Sequence, residues 1–157
     1  MGTGKTTVGR LLATTLDAEF VDTDDIIVER HGPIAEIFSD QGEGAFRSME
    51  RDVAAELGAQ TGLVISTGGR MMLDATCVEM LESTGRVFCL AADPQEILRR
   101  VMGDGEGPAR PLLAGPDPAE RVLSLLRERA EGYGRFEQIA TDDRPPADVC
   151  EDIASRL

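Results

Sequence analysis

Cysteine, histidine and lysine are scarce in this chain of 157 residues. Its three cysteines, Cys77, Cys89 and Cys150, are an odd number, lie far apart and form no Cys-x-x-Cys pair, and His31 is the single histidine. Disulfide frameworks and zinc sites require paired or closely spaced ligands of these types. The composition therefore argues against both.

Long apolar runs and a positive charge excess are also lacking. No run approaches the length of a membrane span, and no apolar segment of a secretory signal begins the chain. The net charge of −13 argues against a nucleic-acid partner, which requires a basic face. We therefore expect a cytoplasmic protein with no membrane partner. With 41% hydrophobic residues, the length suits one domain over 1–157.

The one lysine, Lys5, lies in the opening stretch MGTGKTTVGR, whereas the other fifteen of the 16 Lys and Arg residues are arginine. Gly4-Lys5-Thr6 matches the end of the phosphate-binding loop G-x-x-x-x-G-K-[ST], whose first glycine would precede Met1. In such a loop the lysine reaches the β- and γ-phosphates and the threonine hydroxyl binds Mg²⁺. The backbone around Gly2, Gly4 and Thr7 would hold the phosphates of ATP.

Short apolar strands alternate with amphipathic helices along the chain. This alternation predicts an α/β fold with a parallel sheet. The predicted helices cover 6–16, 24–30, 34–38, 43–57, 74–83, 94–102, 118–135 and 146–157, and the predicted strands 20–21, 62–66, 86–92 and 139–141. The segment 103–118, rich in Gly and Pro, has the size of a lid.

Two carboxylates, Asp22 and Asp24, follow the first predicted strand. If the backbone is extended there, they share a face. One could hold hydrated Mg²⁺ while the other accepts the proton of an attacking hydroxyl. The alternative is a solvated acidic turn, with Asp24 or Asp25 as the helix N-cap.

Arginines and glycines supply the remaining candidates. Arg47, on a helix face, could bind a carboxylate bidentately or form ion pairs with Glu43 or Glu50. Gly68-Gly69, after a strand, allows a ligand to approach the backbone closely or forms a simple tight turn. Arg110 could swing over the phosphates or remain a solvated loop arginine.

The motifs GTGKTTVGRLLA, FVDTDDII, IAEIFSDQGEGAFRSMERDV, VISTGG, RPLLAG and RERAEGY occur in the order and spacing of shikimate kinases. The resemblance spans nearly the whole chain and implies a monomeric P-loop kinase of the nucleoside-monophosphate-kinase type. Its fold would be a three-layer α/β sandwich with a central parallel sheet. The implied reaction transfers the γ-phosphoryl group of ATP to the 3-hydroxyl of shikimate, in aromatic amino-acid biosynthesis.

The resemblance also implies roles for individual residues. Lys5 and Thr6 would bind phosphate and Mg²⁺, Asp22 would hold Mg²⁺ through water, and Asp24 would take the substrate hydroxyl. Arg47 and Arg129 would bind the substrate carboxylate, and Gly68 and Gly69 would contact the substrate through their backbone. Arg110 would bind the phosphates, and Arg100 and Arg144 would flank adenine. Lys5, Asp24 and Arg110 are the candidate catalytic residues.

The sequence departs from the family pattern at two places. Arg70 stands where the family has the third glycine of T-G-G-G, so it could point away, contact the substrate carboxylate or narrow the pocket. The hydrophobic strand that precedes G-T-G-K-T in the family, in the middle of its sheet, is missing from the chain as written. In a chain that truly starts at Met1, we expect the neighbouring strands to lose a partner, the stability to be poor and the binding of ATP to be weak. We therefore expect the working protein to begin upstream of Met1.

Two alternative functions stay open. Arg70 is compatible with a kinase for another small polyhydroxy acid, such as gluconate. The second alternative is a nucleotide-binding module without turnover. The combined presence of Asp24, Arg47, Arg110 and Arg129 favours an enzyme over such a module.

Overall fold

The computed structural model describes residues 2–103 and 118–157. Arg110 and the predicted lid, apart from its end residues, lie outside these ranges. In the described ranges, no helix combines the length and the apolar character needed to cross a membrane.

Eight helices and four strands alternate through the described residues, as the sequence predicts. The helices are α1 Lys5–Leu16, α2 Thr23–His31, α3 Ile34–Asp40, α4 Gly42–Gly58, α5 Ala75–Glu82, α6 Pro94–Gly103, α7 Pro118–Gly134 and α8 Pro146–Ala154. The strands are β1 Glu19–Asp22, β2 Leu63–Ser66, β3 Phe88–Ala91 and β4 Glu137–Ala140, and a 3₁₀ turn covers Met71–Leu73.

The strands pair in parallel, which confirms the α/β prediction. β1 pairs with β2, with Val21 opposite Ile65, and β3 pairs with β4, with Leu90 opposite Ile139. The described strands thus form two separate two-stranded sheets. Residues of both β2 and β3 line a cavity of about 920 Å³. No strand among residues 2–103 and 118–157 lies between them, so their facing edges lack the ladder partner that a continuous sheet would supply.

Helices cover both faces of the strands, because consecutive strand residues point in opposite directions. Val64 packs against a cluster formed by α1, β4 and α8, whereas Leu63 and Ile65 pack against the larger cluster of α2, α3, α4 and α5. This alternation produces the three layers. Where α4 meets α5, Gly58 lies so close to the Met80 carbonyl that a side chain could not fit without movement.

Candidate active site

The phosphate loop lies directly before α1. Gly2 and Gly4 have φ values of 70° and 85°, in the left-handed region that favours glycine. The helix begins at Lys5, so its first N–H groups point out of the helix end and its dipole favours an anion. The loop and the start of α1 therefore form an anion site.

A cavity of about 540 Å³ opens beside this loop. Its lining residues are Gly2, Thr3, Gly4, Lys5, Thr6, Thr7, Val8, Arg100, Thr141, Arg144, Pro146 and Val149. All the residues predicted to bind the nucleotide, apart from Arg110, which is not described, therefore share one space.

Internal hydrogen bonds orient the two arginines of this cavity. Arg100 donates from Nη2 to the Thr141 carbonyl at 2.9 Å and from Nε to Glu96 at 2.6 Å. Arg144 donates to the Ala140 carbonyl and to Asp152, each at 3.0 Å. Guanidinium planes held in this way present a flat surface suitable for an aromatic base.

The acidic pair differs from the extended arrangement that we expected. β1 ends at Asp22, and α2 begins at Thr23, so Asp24 is already helical. The prediction that Asp24 or Asp25 caps this helix was wrong. Asp22 is the N-cap, because its Oδ1 accepts the Asp24 N–H at 3.0 Å. This short carboxylate satisfies one of the free N–H groups at the helix start.

Asp24 has the electrostatics of a potential base. The pKa of its carboxyl is raised from 3.8 to about 6, chiefly by burial and also by the charges of Asp22 and Glu50, while the charge of Lys5 opposes the rise. The influence of Lys5 indicates that the carboxylate lies near the phosphate loop. A pKa near the working pH suits a group that accepts a proton.

The glycine pair after β2 brings two functional side chains close to the backbone. A β-carbon on Gly68 would lie 2.5 Å from Asp24 Oδ1, and one on Gly69 would lie 2.7 Å from Arg129 Nη1. The Gly68 N–H donates to the buried Thr23 hydroxyl at 3.0 Å, so it is already used. The glycine pair therefore lies against both the acid and the arginine.

Arg47 and Arg129 differ in their partners. Arg47 forms ion pairs with Glu43 at 2.8 Å and with Glu50 at 2.6 Å, the contacts that helical spacing allowed. Arg129 has no ion pair with a carboxylate in the described part of the chain. Burial lowers the pKa of its guanidinium, and the charges of Arg70 and Arg47 lower it further. A half-buried cation of this kind favours an anionic ligand.

Arg70 points toward Glu43, and its Nη1 lies 3.1 Å from Glu43 Oε1. Its charge, like that of Arg47, lowers the pKa of the Arg129 guanidinium. Arg70 therefore lies near the proposed substrate-binding arginines, and the expectation that it could point away from the site is not met.

Three residues of this region were not among our sequence candidates. Glu50 is 2% exposed, and its Oε1 lacks a hydrogen-bond partner. Tyr133, the only tyrosine, donates its hydroxyl to the Gly69 carbonyl at 2.7 Å, and Thr23 binds Gly68. The spacing of Arg129 and Tyr133, one helical turn apart, was a usable signal for the tyrosine.

Two residues of the site, Thr6 and Asp22, carry oxygen atoms of the kind that bind Mg²⁺. Thr6 offers a hydroxyl, and Asp22 has a second carboxylate oxygen besides the one that caps α2. No cluster of three or more His, Cys, Asp or Glu side chains arranged to hold a metal occurs in residues 2–103 and 118–157. These few ligands fit a Mg²⁺ ion that keeps most of its water and is held chiefly by nucleotide phosphates.

The sequence model of the shikimate kinase family matches residues 1–157. The chain belongs to the shikimate kinase family. A family member named shikimate kinase from Symbiobacterium thermophilum is 41% identical over 160 residues, which cover 100% of this chain and 91% of that protein. One from Moorella thermoacetica is 40% identical over 160 residues, with 100% of this chain and 90% of that protein covered.

Solved structures of the family have the same fold. The shikimate kinase from Acinetobacter baumannii in complex with shikimate superposes with a TM-score of 0.88 at 35% identity, covering 99% of this chain and 87% of that one. The enzyme from Bacteroides thetaiotaomicron gives a TM-score of 0.89 at 30% identity, covering 100% and 93%. These similarities confirm the predicted family and P-loop fold class.

Proposed function

We propose that this chain transfers the γ-phosphoryl group of ATP to the 3-hydroxyl of shikimate, as a monomer in the cytoplasm. The observation that carries the proposal is the position of the glycine pair after β2. Gly68 lies close to the Asp24 carboxylate, and Gly69 lies close to the Arg129 guanidinium. A proton acceptor from α2 and a carboxylate-binding cation from α7 therefore approach the same short backbone segment, and the charge of Lys5 acts on the acceptor.

The nucleotide would occupy the cavity beside the phosphate loop. Gly2, Gly4 and Thr7 supply backbone groups to the phosphates, and Lys5 adds a positive charge there. Arg100 and Arg144 line the same cavity and would flank the base. Arg110 is proposed to close over the phosphates from the segment outside the described residues.

Thr6 and Asp22 are proposed to hold Mg²⁺, Asp22 through water. Bound there, the ion would neutralise phosphate charge. Both residues belong to elements with fixed backbones, because Thr6 lies in the first turn of α1 and Asp22 caps α2.

Asp24 is proposed to act as the general base. Its carboxylate accepts the proton of the substrate hydroxyl while the hydroxyl oxygen forms a bond to the γ-phosphorus. The bond from the γ-phosphorus to the bridging oxygen breaks, and ADP leaves. The buried, raised-pKa carboxyl suits this transfer because its pKa of about 6 lies near neutral pH.

Arg129 and Arg47 are proposed to bind the substrate carboxylate, with Gly69 providing backbone contacts. Arg129 is available at once, since no carboxylate pairs with it in the described residues. Tyr133 holds the Gly69 carbonyl and so fixes the backbone beside Arg129.

An ADP-release assay with shikimate, quinate and gluconate tests the function. We expect turnover with shikimate and little with the other two acids. Turnover with gluconate alone would favour the second kinase hypothesis, and no turnover with any acid would favour a binding module.

Arg129→Met tests the substrate clamp in the same assay. We expect the KM for shikimate to rise more than tenfold, because the lost charge-assisted bonds contribute about 1.5–3 kcal/mol. The KM for ATP should change little. Arg127→Met, on the exposed side of the same helix, is the control. A matched rise in both KM values would contradict the role of Arg129.

A further inference from the structure

Glu43 occupies the guanidinium edge of Arg47 that a substrate carboxylate would need. Its Oε1 accepts from Arg47 Nη2 at 2.8 Å and from Arg47 Nε at 3.1 Å. Arginine pairs bidentately with a carboxylate through adjacent N–H groups of this kind. The remaining edge is partly taken, since Nη1 donates to the buried Glu50 at 2.6 Å. An incoming carboxylate must therefore displace Glu43 to bind Arg47 in full.

Arg70 offers Glu43 a second partner. Its Nη1 donates to the same oxygen, Glu43 Oε1, at 3.1 Å. Glu43 and Arg70 have side chains that are 51% and 53% exposed, whereas Arg47 is only 21% exposed. Both exposed side chains have room to turn, while Arg47 stays fixed between Glu50 and the helix. Glu43 can thus leave Arg47 and remain paired with Arg70.

We propose that Glu43 competes internally with the substrate carboxylate for Arg47, and that Arg70 is a positioning residue that limits this competition. Arg70 does so by holding Glu43 after the substrate has displaced it. The inference rests on the proposed function, because it assigns a determinant of acid affinity at the same substrate site. Substrates without a negative charge gain nothing from the exchange.

The charge balance of the region agrees with this exchange. The charges of Arg47 and Arg70 both act on Arg129, and the carboxylates that pair directly with Arg47 or Arg70 are Glu43 and Glu50. A substrate carboxylate adds the third negative charge. Glu43 then neutralises Arg70, Glu50 stays with Arg47, and the substrate lies between Arg47 and Arg129.

Steady-state kinetics of Glu43→Gln, Arg70→Met and the double variant test the proposal. Glu43→Gln should lower the KM for shikimate by about two- to fivefold, the range that an exposed ion pair provides. Its kcat and its KM for ATP should not change. Arg70→Met should raise the KM for shikimate by about the same factor. In the Glu43→Gln background, the effect of Arg70→Met should disappear, because Arg70 acts through Glu43.

Two controls isolate the competition. Glu36→Gln removes an equal charge from an exposed position of α3 and should leave every constant unchanged. Shikimate methyl ester, used as a competing ligand, lacks the carboxylate charge, so Glu43→Gln should not tighten its binding.

Three outcomes would overturn the inference: an unchanged or raised KM in Glu43→Gln, an equal gain for the methyl ester, or an Arg70→Met effect that persists without Glu43. The last outcome would mean that Arg70 contacts the substrate directly. Failure of the proposed function is distinct, since the unmodified protein would then not phosphorylate shikimate at all.

Discussion

The substitution Asp24→Asn should stabilise the unliganded protein while abolishing its activity. The folded state places this carboxyl where burial and the charges of Asp22 and Glu50 disfavour ionisation. The side chains of Asp24 and Glu50 lie within about 6 Å of one another. Their oxygens are 2.5 Å and 3.3 Å from the same point, the β-carbon position of Gly68. Asparagine keeps the shape of aspartate and removes the charge.

The pH dependence follows from the direction of the pKa shift. The pKa of Asp24 rises from 3.8 in the unfolded chain to about 6 in the folded protein. The folded state therefore binds the proton more tightly, and the resulting stability is present below pH 4 and lost as the pH rises through about 6. The pKa difference corresponds to about 3 kcal/mol as an upper limit, and partial exposure reduces it to about 1–3 kcal/mol.

Thermal unfolding of the metal-free protein, with EDTA, measures this effect. Asp24→Asn should match the unmodified protein near pH 3.5 and exceed its Tm at pH 7–8 by about 2–12 °C, using about 2–4 °C per kcal/mol for a chain of this size. The kcat should fall at least a hundredfold, since a general base contributes about 10²–10⁴-fold. ATP binding should be largely retained.

Asp52→Asn, at an exposed position of α4, is the matched control and should leave the Tm unchanged at every pH. An equal Tm difference at pH 3.5 and pH 8 would refute the electrostatic reasoning. So would a lower Tm of Asp24→Asn at neutral pH. An equal loss of ATP affinity and turnover would contradict the role of Asp24 as a base.

The remaining predictions concern packing. Gly58→Ala should destabilise the fold by about 1–3 kcal/mol in urea unfolding, because its β-carbon would overlap the Met80 carbonyl oxygen. Gly44→Ala, in the same helix with open space around it, should be neutral or stabilising, and similar losses at both sites would contradict the packing argument. Joining an apolar strand of about six residues before Met1 should raise the Tm, because the edges of β2 and β3 beside the cavity of about 920 Å³ have no partner strand among the described residues. A Gly/Ser segment of equal length should leave the Tm unchanged. If the apolar and the Gly/Ser segments changed the Tm equally, strand pairing would be excluded as the cause.

Much of the fold follows from local pattern. The apolar face of α1, the buried run of β2 and the Pro that begins α6 are features of neighbouring residues, so each element was predicted nearly at its observed ends. The start of α2 was not predicted correctly, because the four consecutive residues Asp22, Thr23, Asp24 and Asp25 all have side chains that can cap a helix. The hydrogen bond from the Asp24 N–H to the Asp22 carboxylate shows that Asp22 is the N-cap.

The candidate site was predictable only as a set of residue types. Lys5, Asp24, Arg47 and Arg129 were identifiable from motifs, and helical spacing offered Glu43 and Glu50 as partners of Arg47, but the burial of these groups was not predictable. Glu50 looked like an ordinary helical ion-pair partner of Arg47. Burial converts it into a carboxylate with one unsatisfied oxygen that raises the pKa of Asp24. Tyr133 acquires its role only because α7 packs beside Gly69.

The sequence by itself determined the alternation of elements, the phosphate loop and the chemistry of the substrate-binding side chains, because these depend on residue type and short spacing. The tertiary structure decided how charges are shared among Glu43, Arg47 and Arg70, and which groups are desolvated. Glu43 and Arg70 are 27 residues apart in sequence. Their contact, like the low solvation of Asp24, exists only after the helices have packed around the strands, since Coulomb energies depend on distance and burial.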